Sequence, residues 1–268
     1  MKLEGLFALL IIGLASTAYA YDSKDASRLK NKGDCIGCDL RNLKMQSDVM
    51  PGSNLSNSTL RDSQLKSINL KGAQLTGADL RRADLEKANL ENADLTNAIL
   101  RGTDLEKAIL SGAKLIKADL RDTDLENIQA INSNFLEADI RNANMKRGNF
   151  SQAIFKNTRM SDVNLKRSIA VGADFSNARM KNTKFKRANL EGAKFIKTNL
   201  ALANFYRANL SNTDFTGADL SDTILREANL SGANLEEATE LTQAQLRYAC
   251  GDASTRLPTG LLIHDCIR

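Results

Sequence analysis

Residues 73–92 read Ala73-Gln74-Leu75-Thr76-Gly77-Ala78-Asp79-Leu80-Arg81-Arg82-Ala83-Asp84-Leu85-Glu86-Lys87-Ala88-Asn89-Leu90-Glu91-Asn92, four units of five residues with a leucine at the centre of each. Outward from this stretch the register holds without a slip from Leu40 to Leu235, forty units in all. Their central positions are 24 Leu, 8 Phe, 5 Met and 1 Ile, and only Ala130 and Ala170 are small. A period of five is neither the 3.6 of a helix nor the 2 of a flat strand. The chain is therefore one elongated domain whose core grows by stacking repeats, despite a length of 268 residues that could hold two ordinary domains.

Within each unit a small residue stands two places before the central one, as at Ala73, Ala78, Ala83, Ala88 and Ala93, with Asp or Asn between them. Central and small residues alternate inward, as period-two geometry requires. The Asp or Asn and the two residues after the centre point outward and turn the chain, tasks suited to Asn, Asp, Ser and Gly.

Ala78-Asp79-Leu80-Arg81-Arg82, Ala88-Asn89-Leu90-Glu91-Asn92 and Ala218-Asp219-Leu220-Ser221-Asp222 resemble the Ala-(Asp/Asn)-Leu-x-x pattern of the pentapeptide repeat family, and the likeness runs over residues 38–240. The resemblance implies an all-β fold: a right-handed, four-sided β-solenoid of about ten coils, each built from four units, with short capping segments at both ends. The sequence carries its own test of a 20-residue coil. Phe135, Phe155, Phe175, Phe195 and Phe215 recur at steps of 20 and would stack as one aromatic ladder. The column Leu110, Ala130, Phe150, Ala170, Leu190 sets the two small central residues directly below and above a Phe, which is volume compensation in a close-packed interior. Met160 and Met180 stack likewise. All of these are core residues, not a ligand site.

Residues 1–20 stand apart. Lys2, the apolar run Leu6 to Leu14 and the small-residue site Ala18-Tyr19-Ala20 predict a secretory signal peptide, hence export to the periplasm or beyond. No Cys follows the cleavage site, which argues against a lipid anchor there, and no transmembrane span is expected after cleavage. Export makes disulfides stable. Cys35 and Cys38 precede the repeat and Cys250 and Cys266 follow it; at about 4.8 Å per layer the two pairs lie roughly 50 Å apart, so Cys35–Cys38 and Cys250–Cys266 are the expected bridges. Residues 21–37 are expected to form an N-terminal cap with helical character over 22–34. Residues 241–268 should hold a helix from about 242 to 249, opened by a Thr242/Gln245 capping box, and a disulfide-pinned tail. Leu241, Leu246 and Tyr248 are expected to cover the last coil.

Stacking also lets surface columns be read directly. Arg41, Arg61, Arg81, Arg101, Arg121 and Arg141 form one. Glu86, Glu106 and Glu126 give way to Lys146, Lys166 and Lys186 in another, beside Arg147, Arg167, Arg187 and Arg207. Residues 41–140 carry 13 basic and 15 acidic side chains, residues 141–207 carry 15 and 3, and residues 208–240 carry 1 and 7. The rod thus has a band of net charge +12 followed by an acidic end of −6, within a chain of net +5. A basic stripe attracts polyanions, and the expected contact residues are Arg147, Lys166, Arg167, Lys186, Arg187 and Arg207. Nucleic acid is disfavoured because Tyr206 is the only aromatic near the band. Exposed aliphatics (Ile116, Leu136, Ile154, Ile169 and Val171) offer a second surface, for a homodimer.

Catalysis finds little here. His264 is the only histidine and lies in the tail, no glycine-rich phosphate loop occurs, and the many Asp residues follow from the repeat. No enzyme, metal or cofactor is expected; Cys35-Ile36-Gly37-Cys38 lacks the surrounding βαβ pattern of a redox motif. The expected function is that of a non-catalytic exported solenoid, a rigid interaction or structural element of the cell envelope that docks a protein or an envelope polyanion. The alternative comes from the family, some of whose members are acidic cytoplasmic rods that resemble duplex DNA and bind DNA gyrase. This chain departs from them in its basic charge and its leader.

Overall fold

The computed structural model describes residues 21–266, so the expected signal peptide over 1–20 lies outside the described residues. From Asp34 onward each residue preceding a central position pairs in parallel with the residue 20 further on: Asp39 with Thr59, Thr59 with Asp79, Asp79 with Ile99, and so to Thr239. Every 20-residue turn carries four such pairing columns. The domain is a parallel β-solenoid.

The unit Ala78–Arg82 shows why five residues suffice. Ala78 N–H donates to Leu75 O (3.0 Å) and closes a tight turn. Asp79 N–H reaches Ser58 O in the layer before (2.9 Å), while Leu80 and Arg82 donate to Ile99 O and Arg101 O in the layer after (2.8 and 3.2 Å). The remaining amide, Arg81 N–H, donates to the Asp79 carboxylate (3.3 Å). All five backbone donors are thereby satisfied. This refines the expected division of labour: the Asp or Asn sits in the pairing column, and its side chain caps the turn made by the two residues after the centre. The second of those two residues is left-handed, as at Asn92, Asn97 and Gly102, with φ of 58°, 58° and 67°. Asn and Gly recur there because they adopt that conformation at least cost.

Inside, central and small residues are almost wholly buried from Leu40 to Leu235. Where Ser or Thr takes the small position, its hydroxyl commonly donates to a backbone carbonyl, as Ser58 does to Leu55 O (2.6 Å) and Thr103 to Leu80 O (2.8 Å), although the buried Ser53 hydroxyl finds no partner. The Phe135, Phe155, Phe175, Phe195 and Phe215 rings stack at centroid separations of 4.6, 5.0, 5.1 and 5.1 Å, all within 8° of parallel. Phe185 and Phe205 add a second, shorter ladder (4.9 Å) that meets the first edge-on. Phe150 lies in the layer between the buried Ala130 and Ala170, with its edge toward Phe155 at 5.8 Å.

Both ends of the stack are closed. Helix α1 (Ser23–Lys32), capped by Asp22, buries Ala26 and Leu29. The Asp25 carboxylate accepts from Asp39 N–H (2.9 Å), and Cys35–Cys38 forms a disulfide over the turn at Gly37. At the far end helix α2 (Gln243–Leu246) has the expected capping box but is shorter than the expected 242–249. Leu246 is buried and Leu241 partly so, whereas Tyr248 is 56% exposed and covers nothing. It stands outside with Arg226 and Arg247 beside its ring instead. The stack also continues past 240: Asn229 pairs with Cys250 and Asn234 with Arg256, steps of 21 and 22. Strand β1 (Cys250–Gly251) then takes β2 (His264–Asp265) alongside it, and the Cys250–Cys266 disulfide locks the two. These additions cover open edges that would otherwise invite pairing with another chain.

Candidate docking surface on the basic band

The two arginine-rich columns differ sharply in what surrounds them. In the first, Arg41, Arg81, Arg121 and Arg141 each clasp the Asp two residues earlier through two nitrogens, with Nε and Nη2 at 2.6–2.8 Å. Arg61 adds a contact to Asp79 (2.5 Å) and Arg101 one to Asp122 (3.3 Å). The Arg41 and Arg121 guanidiniums hold the Asp39 and Asp119 carboxyls below the usual carboxylate range. This column is spent on the fold.

The second column is not. At its start Glu126 takes Lys146 (3.2 Å) and Arg147 (2.8 Å), and at its end Arg207 pairs with Glu227. Between them Lys166, Arg167, Lys186 and Arg187 have no carboxylate partner among the described residues. Lys186 has only the Tyr206 ring, 5.0 Å away, which Arg207 also faces at 5.0 Å. These four cations and Lys146 line an open groove of about 360 Å³. Of the six expected contact residues the structure thus gathers four in one groove, while Arg147 and Arg207 stand at its ends, tied to carboxylates.

The backbone under the groove makes the same turn as the rest of the rod. Arg147, Arg167, Arg187 and Arg207 all occupy the left-handed turn position, with φ of 58°, 58°, 59° and 57°. The next corner of the same layers uses Gln152, Gly172, Gly192 and Asn212 there. A left-handed L-residue costs about 1–2 kcal/mol, a cost the turn imposes along the whole rod, as at Lys87, Lys107, Lys117, Glu137 and Leu202.

In the layers before the groove the same face holds the opposite charge. Asp84, Asp104 and Asp124 pair in successive layers, beside Glu86, Glu106 and Glu126. Burial, with Asp84, Asp124 and Glu86 close by, pushes the Asp104 carboxyl up although a backbone bond to Glu106 opposes it. Lys66 and then Lys87 hold Glu86 down to about 2. The signal for this acid column was the same step of 20 that revealed the basic one.

Of the five aliphatics expected to form a dimer face, Ile154 and Ile169 are exposed but sit in different columns; Ile116, Leu136 and Val171 are half-buried. They make no continuous apolar patch. Another groove, about 500 Å³, contains Asp119 and Asp139, both bound to arginines. The one donor cluster of metal-binding type among the described residues joins Asp25 to Cys35 and Cys38, and those sulfurs are bonded to each other.

The family model for pentapeptide repeats matches in eight copies, over residues 53–92, 88–127, 118–157, 158–195, 183–222, 203–239 and 213–250. The chain belongs to the pentapeptide repeat family. Among solved structures it is similar to HetL, a pentapeptide repeat protein involved in heterocyst differentiation regulation from the cyanobacterium Nostoc sp. strain PCC 7120; identity is 29% over 83% of this chain and 90% of that one, with a TM-score of 0.28. Full-length QnrB1, a plasmid-mediated fluoroquinolone resistance protein, matches at 17% identity over 71% and 92%, TM-score 0.33. A pentapeptide repeat protein of the Arabidopsis thaliana thylakoid lumen matches at 25% over 44% and 80%, TM-score 0.25. No curated protein matches the chain.

Proposed function

We propose that this pentapeptide repeat protein is a non-catalytic, exported element of the cell envelope that docks an anionic partner through its basic band. The shape proposed for it is a right-handed, four-sided solenoid of about ten coils, an arrangement consistent with four pairing columns per turn. One observation carries the docking reading: four adjacent cations share a groove with no carboxylate among the described residues to neutralise them. Export is supported by the leader-like residues 1–20 and by two disulfides, which persist in oxidising compartments. The absence of a nucleophile–base pair in the sequence argues for recognition and against turnover. The gyrase-binding alternative needs a negative rod, and the +12 band opposes it.

The test is a pull-down from envelope extract with the wild type and with Lys166→Glu/Arg167→Glu/Lys186→Glu/Arg187→Glu. The wild type should retain partners that the variant loses and that wash off as salt rises. Identical partner sets would end the docking reading, and a mature protein found in the cytoplasm would end the export reading.

A further inference from the structure

The acidic and basic blocks lie on one face and in the same columns. The pairing column runs Asp84, Asp104, Asp124, Asn144, Asn164, Lys184, each bridged to the next. Two residues further on run Glu86, Glu106, Glu126, Lys146, Lys166, Lys186. With the turn-tip residues included, the first three layers carry six carboxylates and two lysines, net −4, and the next three carry seven cations and no acid, net +7. The sign changes once, between the layers of Glu126 and Lys146.

A pattern that inverts about its own midpoint is self-complementary under a two-fold axis. With the axis lying across the face at that midpoint, a second molecule runs antiparallel and every column faces its own copy. Glu126 then meets Lys146, Glu106 meets Lys166 and Glu86 meets Lys186, each pair twice, while Asp84 meets Lys184. This is the isologous contact of a closed dimer, in which residue i touches j and j touches i. Resting on the reading that the basic band docks an anionic partner, we infer that this partner is a second copy of the chain, bound antiparallel through Asp84–Glu126 on one molecule and Asn144–Arg187 on the other.

Spacing singles out this partner. An extended acidic peptide repeats same-face carboxylates about every 6.6 Å, whereas the layers are about 4.8 Å apart, so it drifts out of register within two layers. The chain's own acid ladder has the pitch of its cation ladder and stays in register across all six. At the sign change the same pairings already occur within one molecule: Lys146 bonds Glu126 (3.2 Å), and Asn144 donates to Asp124 (3.1 Å). Lys87 and Lys107, which would oppose Arg187 and Arg167, are turned onto Glu86 and Glu106 (2.9 and 2.6 Å). A parallel pair would set like charge on like.

The experiment is light scattering behind size exclusion, with sedimentation equilibrium, on the purified disulfide-bonded protein and two variants of half-buried surface residues, Glu106→Lys and Lys166→Glu. The wild type should be a dimer at low salt and dissociate as salt rises. Each single variant should weaken the dimer by at least about tenfold, since like charges then face each other. The two variants mixed should form a heterodimer, because each supplies the sign the other lacks, and the double variant should dimerise as the wild type does. A monomeric wild type at submillimolar concentration, or single variants that neither dissociate nor recover on mixing, would overturn the inference. If the wild type is monomeric while the charge-reversed band still loses its envelope partners, only the self-association falls. If the dimer forms and the partner sets do not change, the envelope-docking reading falls instead.

Discussion

Gly148 and Phe150 form one packing unit, and a mutant cycle on them tests how the core is filled. Phe150 is fully buried between Ala130 and Ala170. Gly148 stands at the small inward position two residues before it, where a Cβ would lie 2.6 and 2.7 Å from Phe150 Cε2 and Cζ and 3.4 Å from Ile128 Cγ1. Phe150→Ala should cost about 3–5 kcal/mol, toward the upper end, because the layers on either side offer only methyl groups to refill the space. Gly148→Ala should cost about 1–3 kcal/mol through overpacking, since the buried ring tip has nowhere to move. In the Phe150→Ala background the sign should reverse: Gly148 does not need a left-handed backbone, so alanine there gains about 0.4–1 kcal/mol by restricting the unfolded chain. The assay is guanidinium unfolding of the four proteins, followed by far-UV circular dichroism. Equal costs for Gly148→Ala in both backgrounds would refute the packing argument, as would a Phe150→Ala loss below about 1 kcal/mol.

Three further outcomes are expected. Cys250→Ser/Cys266→Ser opens a loop of sequence separation 16 and should cost about 3 kcal/mol; amide exchange should quicken at Leu230 and Leu235, which donate to the tail, and stay slow at Leu80. Leu202 holds φ 62° and is 44% exposed, so Leu202→Asn should raise stability by about 0.5–1 kcal/mol in denaturant titration, because Asn tolerates the left-handed region. Glu86 is held down to about 2 against an ordinary 4.5, so its contribution is present above pH 4.5 and is lost as pH falls toward 2; Glu86→Gln should make the acid limb of the stability curve shallower. Asp104 has the opposite sign, its folded value lying above the ordinary 3.8. Asp104→Asn should therefore raise the unfolding midpoint at pH 7, with the gain gone well below pH 3.8.

The 20-residue layer was legible because bulky side chains were conspicuous at that step: five phenylalanines in one column, and two alanines either side of Phe150. The Phe185–Phe205 ladder escaped notice because it is only two rings long, in a column that reads Leu165 before it and Leu225 after it. Gly148 also escaped, since its role depends on the direction in which the Phe150 ring turns, which no period encodes. The tail's pairing with the stack was hidden because residues 248–256 abandon the five-residue register. Backbone pairing does not need that register, so the chain still adds to the stack in steps of 21 and 22. On the surface, composition located the basic band, but only geometry separated its unpaired centre from the Arg41–Arg141 column, where a carboxylate two residues earlier is within reach of each clasping guanidinium.

The constant step between layers also restricts how this molecule can change length. Duplicating or deleting a whole turn leaves every column aligned and merely moves the sign change along the rod. A single five-residue insertion would keep the interior intact, since one central residue replaces another, yet it would carry all later charges around to the adjoining side. Lineages descended from this gene should therefore tolerate indels of twenty residues within the solenoid far more often than indels of five, even though both preserve a foldable protein.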